Sequence, residues 1–253
     1  MIAITRAVPD NFDRCELTHL ARVPIDIARA RREHEAYESA LRSAGCTIVR
    51  LPALRDQADS VFVEDAAVVV AELAVVTRPG AASRRAETAS MHALLQEYMS
   101  VAAIVAPGTL DGGDVLRIGR RIFVGISTRT NESGATQLAS LLEPFGYTVT
   151  RVPVARSLHL KSAVTAASDE LIVLDPAVVP AGIFGVPCVL VPPEEAMGAN
   201  VLAVDGVVLC PASAPQTARR LEQHGLVVRA VDTTELAKAE AGLTCCSVLL
   251  PGT

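Results

Sequence analysis

Five hairpin-like starts recur along this chain at nearly even spacing, and that repeat restricts the fold more than any other feature. The starts fall at Asp65, Asp114, Ser162, Asn200 and Cys246, which are 49, 48, 38 and 46 residues apart. After Asp65, two β-rich runs at residues 66–70 and 74–76 precede a helical pattern over 87–99 and a returning strand at 101–105. The same order, ββαβ, follows Asp114: a hairpin turning at Gly119, a helix over 134–144 and a strand over 148–152. Ser162 opens a hairpin that turns near Ser168 and Asp169, but no helical period lies between Pro176 and Pro187, so this unit has a shortened connection. Asn200 opens another that turns at Asp205-Gly206, with a helix over 215–224 and a strand over 227–231 behind it. A period of roughly 40–50 residues marks units that bury their apolar faces only against neighbours.

The first residues fit the same scheme. A short strand within residues 1–8 leads through an aperiodic loop, 10–24, to an amphipathic helix over 25–44 that Gly45 stops, and a strand follows at 46–51. A strand at 247–250 beside residues 2–4 would close a ring, as when a last repeat is completed by the amino-terminal strand. The expectation is an α/β fold of five ββαβ repeats with pseudo-fivefold symmetry about one axis, forming a single domain over 1–253. A doubly wound parallel sheet is the weaker alternative, because no Gly-rich phosphate turn follows a strand and hairpins are too frequent.

Composition bears on what such a ring binds. Half the residues are hydrophobic, yet no apolar run approaches the roughly 20 residues of a membrane span, and residues 1–8 lack the basic start of a signal peptide. A soluble, cytoplasmic protein is expected. A net charge of −5 provides no basic field for nucleic acid or anionic lipid, so a ligand attracted by charge should be a cation. Cys15, Cys46, Cys188 and Cys210 are scattered without paired ligand spacing and read as packing residues, not a structural zinc site.

Near the end stand two adjacent cysteines, Cys245 and Cys246. Neighbouring side chains point apart in extended backbone, so a disulfide between them is strained, and alternation along the closing strand would let one thiol face the axis. The hairpin starts gather further chemistry there: Asp59, Glu64 and Asp65, then Asp111 and Asp114 in Leu110-Asp111-Gly112-Gly113-Asp114, and His159. Each has a plain structural reading: Asp-Gly-Gly-Asp makes a tight turn, and a histidine between leucines is commonly a core residue. Together, clustered carboxylates repel one another and call for a cationic partner such as a metal, an amine or a guanidinium. One histidine among oxygen ligands is poor zinc chemistry, so no metal or cofactor is expected; cysteine, histidine and acids fit covalent catalysis by a thiolate.

These residues resemble the dimethylarginine dimethylaminohydrolases of the guanidino-group-modifying, or pentein, superfamily. The resemblance runs through 59–65, Thr77-Arg78-Pro79-Gly80-Ala81 with Ser83-Arg84-Arg85, 110–115, Phe123-Val124-Gly125 with Arg129-Thr130-Asn131, 152–154 with Leu158-His159-Leu160-Lys161-Ser162, and 243–248. It implies a five-bladed α/β propeller that hydrolyses asymmetric dimethylarginine and monomethylarginine to citrulline and dimethylamine or methylamine. By the same resemblance Cys245 is the nucleophile, forming an S-alkylthiouronium, and His159 the general acid–base. Asp111 holds the guanidinium and supports catalysis, with Glu64 and Asp65 beside it. Asp59 binds substrate, Arg84 and Arg129 grip the α-carboxylate, and Leu17 belongs to a lid. The partner is a small molecule, and both monomer and homodimer stay open. An arginine deiminase releasing ammonia is the nearest rival, but its family carries a helical insertion for which no segment here has room. A non-catalytic propeller that only binds a partner would not need Cys245, His159 and Asp111 together.

Overall fold

The structure, a computed structural model, describes residues 1–251. It contains five three-stranded sheets built alike: an inner strand antiparallel to the middle one, and a middle strand parallel to the outer one. In the first blade β1 (Ile2–Arg6) is the middle strand, α1 (Ile27–Ser43) the crossover and β2 (Thr47–Leu51) the outer strand. The second has β3 (Ala67–Val69), β4 (Ala74–Val76), α2 (Thr88–Leu95) and β5 (Val101–Ala103). The third has β6 (Val115–Ile118), β7 (Arg121–Ile126), α3 (Glu132–Leu142) and β8 (Thr148–Pro153). The fourth has β9 (Val164–Ser168), β10 (Leu171–Leu174) and β11 (Cys188–Leu190). The fifth has β12 (Leu202–Val204), β13 (Val207–Pro211), α4 (Pro215–Gln223) and β14 (Val227–Val231), and a short helix α5 (Thr234–Ala237) leads away from it. Finally β15 (Val248–Leu250) pairs antiparallel with β1, Ile4 opposite Val248, and completes the first blade.

Helix α1 shows how the local pattern drives the assembly. Ala30, His34, Tyr37 and Leu41, three or four apart, are buried on one face; Asp26 caps the start by accepting from the Arg29 N–H, and Gly45 at φ +92° ends it. Glu38 on the same face is fully buried, accepting from Thr5 Oγ1 at 2.7 Å and Arg50 at 2.5 Å, which ties the helix to β1 and β2, two of the three strands of its blade. The apolar core is divided into five clusters, and each is shared by two adjacent blades: Ile4 and Val248 meet Ala67 and Val76, for example, while Tyr37 and Leu41 share a cluster with Leu209 and Val231. Such a blade cannot satisfy its apolar surface alone, which is the physical content of the repeat.

Several elements depart from the sequence pattern. The helix expected over 87–99 is the shorter α2, which stops at Leu95, and ahead of it residues Ala82–Glu87 form a 3-10 turn that draws Arg84 and Glu87 inward. Helix α3 begins two residues earlier than expected, where Asn131 caps it by accepting from the Gly134 N–H. The shortened fourth unit holds only a 3-10 turn, Ala181–Ile183, yet still returns as β11, parallel to β10. Cys245 and Cys246 lie not on the closing strand but in a 3-10 turn, Thr244–Cys246, just before it. Every inner strand has such a turn at its entry: Val63–Ala66, Gly112–Asp114, Leu160–Ser162, Pro193–Ala199 and Thr244–Cys246. Neighbouring turns touch, and they ring one end of the axis. Behind them a cavity of about 260 Å³ runs between the inner strands. Among the described residues no helix is long and apolar enough to cross a membrane.

Candidate active site

The ring of turns brings most of the expected residues together. Cys245, His159, Asp65, Asp59, Arg84 and Arg129 all line one small cavity of about 20 Å³. Asp111 sits directly behind His159, and its Oδ2 is 3.1 Å from His159 Nε2. Asp65 Oδ1 is 3.9 Å from the same nitrogen, so the imidazole lies between two carboxylates. Both acids are fixed from behind. Asp111 Oδ1 accepts from the Gly80 N–H at 2.8 Å, and Asp65 accepts from the Gly113 N–H at 2.9 Å and from Arg84 at 2.5 Å. The close approach explains both glycines: a Cβ at Gly113 would lie 2.6 Å from His159 Nδ1 and 2.8 Å from Asp65 Oδ1, and one at Gly112 would run into the Glu64 carbonyl oxygen.

The electrostatics follow from these contacts. Burial lowers the His159 pKa, but Asp65, Asp111 and Asp114 outweigh it and raise the group to about 9, so the ring is an imidazolium at neutral pH. Burial raises Asp65, yet His159, Arg84 and the Gly113 N–H bring it down to about 2. For Cys245 burial, Glu64 and Asp65 all act in one direction and push the thiol up to about 12, against weaker opposition from the Gly242 N–H and Lys161. Part of the positive charge that the clustered acids require is therefore supplied by the protein itself, through His159 and Arg84, and the charge of Glu64 and Asp65 still felt at Cys245 is not fully offset. One ligand atom each of Asp65, Asp111 and His159 lies within 4.8 Å of the others, a spacing a metal ion could bridge, but those atoms already serve one another and the neighbouring N–H groups.

The remaining expected residues take less uniform places. Arg84 is buried, with Nη1 on Asp65, Nε and Nη2 on Glu87, and Nη2 also donating to the carbonyls of Asp59 and Phe62. Most of its donor capacity is thus committed to the protein. Arg129 is freer, with Nη1 3.2 Å from Glu16 Oε2 and Nη2 3.4 Å from Thr18 Oγ1. Asp59 accepts from the Glu16 N–H through both oxygens, and burial raises its pKa over the opposing pull of Arg84. Glu64 does not line this cavity. Its carboxylate takes Lys161 Nζ at 2.5 Å and the Thr244 hydroxyl at 2.7 Å and faces the axial cavity instead. Leu17 is not a lining residue either: its side chain packs on the cluster that holds Phe12, Phe62 and Cys246. Cys246 is 1% exposed in that same core, so a single thiol of the pair reaches the cavity.

Two contributors carry no sequence signal of their own. Glu16 and Glu240 line the cavity from loops without period. Asp114, fully buried, accepts from the Leu160 N–H at 2.9 Å and from the Ser127 hydroxyl at 2.7 Å, and Ser127 Oγ in turn accepts from the Arg129 N–H at 3.0 Å. One carboxylate thus joins the turn after His159 to the loop that bears Arg129.

The chain is similar to known proteins over most of its length. A family profile described as "N,N dimethylarginine dimethylhydrolase, eukaryotic" matches residues 7–181. The chain is 44% identical over 237 residues to the N(G),N(G)-dimethylarginine dimethylaminohydrolase of Streptomyces coelicolor, covering 92% of this chain and 91% of that one. It superposes with a TM-score of 0.94 and 32% identity on a Cys-to-Ser variant of the Pseudomonas aeruginosa protein complexed with citrulline, covering 97% of both chains. A TM-score of 0.92 with 33% identity relates it to a His-to-Gly dimethylarginine dimethylaminohydrolase in its adduct with S-methyl-L-thiocitrulline, over 97% of this chain and 98% of that one. With its five blades, its cavity and these similarities, the chain belongs to the dimethylarginine dimethylaminohydrolase family of the pentein, or amidinotransferase, superfamily.

Proposed function

We propose that the chain hydrolyses N-omega-methylated arginines, asymmetric dimethylarginine and monomethylarginine, to citrulline and dimethylamine or methylamine. The observation that carries this reading is the shared cavity of Cys245 and His159, with the imidazole between Asp65 and Asp111. The free site holds a thiol and an imidazolium, and a guanidinium brought beside Asp65 offsets the negative charge that raises Cys245. As the guanidinium binds, the Cys245 thiol releases its proton to solvent, and the thiolate attacks the guanidinium carbon, its C–S bond forming as the carbon becomes tetrahedral. The C–N bond to the methylated nitrogen breaks while His159 gives its proton to that nitrogen, and the amine departs from an S-alkylthiouronium. His159, now neutral, takes a proton from water and the hydroxyl adds to the same carbon; the C–S bond then breaks, the hydroxyl proton passes to the departing Cys245 sulfur, and citrulline is released with the thiol and imidazolium restored. Asp111 is the positioning group for the imidazole, while Arg129, exchanging Glu16 for the substrate, is the better placed of the two arginines to take the α-carboxylate. Arg84 supports the site through Asp65.

Residues 1–253 are proposed to act as one catalytic domain, since the cavity draws on residues from Glu16 to Cys245. A cytoplasmic setting accords with six cysteines that are all free thiols. The experiment is to incubate the protein separately with asymmetric dimethylarginine, monomethylarginine and arginine, and to measure citrulline together with the released amine. Citrulline with dimethylamine or methylamine supports the proposal. Ammonia from unmethylated arginine makes the chain a deiminase, and no citrulline from any of the three leaves a binding module.

A further inference from the structure

About 20 Å³ of free space holds one or two waters and no methylated arginine, so the wall of the cavity must open for a substrate to enter. The loop after the turn Phe12–Arg14 lines the cavity through Glu16, and the exposed residues that follow, Thr18, His19 and Leu20, run beside it, with the Thr18 hydroxyl accepting from Arg129, another lining residue. Three consecutive amides of this loop converge on one atom. The N–H groups of Thr18, His19 and Leu20 donate to Glu240 Oε1 at 2.9, 2.6 and 2.6 Å. Successive N–H groups aimed at one oxygen form an anion nest, here filled by a side chain from the opposite wall. Glu240 adopts φ +59°, a left-handed backbone unusual for a residue with a Cβ, and its second oxygen is buried with no hydrogen-bond partner. Backbone strain and an unpaired buried oxygen are both tolerated where geometry serves a purpose other than stability. Five residues on stands Cys245, whose Sγ accepts from the Gly242 N–H, so the clasp and the thiol share one short loop.

We propose that Glu240 is the clasp of the lid: its carboxylate holds residues 18–20 closed over the cavity, and release of those three amides is the step that admits substrate and lets product leave. Glu240 is in this sense a positioning residue, acting through the loop and not on the reacting atoms. The inference rests on the cavity being the substrate site. Its test is arranged so that the two can fail separately.

Amide hydrogen exchange at residues 18–20 and alkylation of Cys245 by iodoacetamide, both followed peptide by peptide in the substrate-free protein, compare wild type with Glu240→Ala, Glu240→Gly and Glu240→Gln. Glycine removes the same carboxylate in a residue suited to the left-handed backbone, so a folding defect of the alanine variant is recognised as such. Exchange at 18–20 should speed up about tenfold or more in the alanine and glycine variants, and alkylation by a similar factor. Glutamine keeps a carbonyl acceptor and should fall between. With dimethylarginine, KM should fall several-fold in the alanine and glycine variants, because the open state that admits substrate is more populated, while kcat changes less than about threefold. Unchanged exchange in both the alanine and glycine variants overturns the clasp. So does a loss confined to substrates that bear an α-ammonium with the lid amides still protected, which would make Glu240 a substrate-binding residue. Absence of citrulline from wild type would sink the proposed function but leave the exchange result standing.

Discussion

The resting state of Cys245 can be measured directly. With its pKa pushed up to about 12 by burial, Glu64 and Asp65, about one molecule in 10⁵ carries a thiolate at pH 7. An ordinary cysteine, with a pKa of about 8.5, is ionised in about 3% of molecules at that pH, so alkylation of Cys245 by neutral iodoacetamide should be about three-thousandfold slower than that of a free thiol. The assay is the pH dependence of alkylation, resolved by peptide because Cys188 is also partly exposed. The rate at Cys245 should keep rising beyond pH 10 without a plateau. Above pH 9 His159 loses its proton, and the loss of that positive charge should flatten the slope. A closed lid scales every rate by one factor and leaves the shape of the profile alone, so opening the lid and ionising the thiol are separable. Glu64→Gln is the decisive variant. It removes a carboxylate that raises the thiol, leaves the Lys161 ammonium unpaired nearby, and should move the profile to lower pH. A wild-type plateau with an apparent pKa below about 8 would refute the reasoning and establish a resting thiolate–imidazolium pair.

Cys245→Ser should abolish citrulline formation with the melting temperature unchanged, whereas Cys246→Ser should retain turnover and lose about 1–3 kcal/mol of stability by placing a hydroxyl in the apolar core; equal loss of activity in both would remove the assignment. Gly113→Ala should lower kcat by about a hundredfold with a far smaller change in melting temperature, because its Cβ displaces the imidazole and the Asp65 carboxylate; near-normal kcat would show that neither group is held by that contact. His159 binds its proton more tightly in the folded chain, about 9 against an unfolded 6.5, so its stabilisation is complete below pH 6.5 and is lost as the pH rises through 9. Denaturant titrations should show a decline of up to about 3 kcal/mol over that window, absent in His159→Gln; the low pKa of Asp65 is the other side of the same interaction and is not added to it.

Much of the ring was legible because hairpins and amphipathic helices carry periods, and periods survive in sequence. The β12–β13 turn at Asp205-Gly206 and the strand β14 fall where composition puts them. The 3-10 turns at the axis are three to seven residues long and have no period, and they decide which way each functional side chain points. Glu64 and Asp65 are neighbours in sequence and read alike, but one such turn sends Asp65 to His159 and Glu64 to Lys161, on two different cavities. Cys245 and Cys246 are separated in the same way, by a turn and not by strand alternation. A motif names Arg84 but not the Asp65 and Glu87 carboxylates that occupy it, since those contacts exist only after folding. Glu240 had no signal at all: a left-handed backbone at a glutamate leaves no trace in composition.

The closure of the first blade, Ile4 against Val248, has a consequence for how activity is gained and lost. His159, Asp65 and Cys245 enter the cavity from turns that lead into three different blades, and each apolar cluster straddles a seam between blades. Assembly is therefore all-or-none: the thiol meets the imidazole only once the two most distant strands of the chain have found each other. Contacts this far apart in sequence form slowly, so the last event in folding should also be the one that switches on chemistry. A population caught with the seam open would keep most of its secondary structure and have no turnover, and a nick in a surface connection would be harmless so long as the ring held.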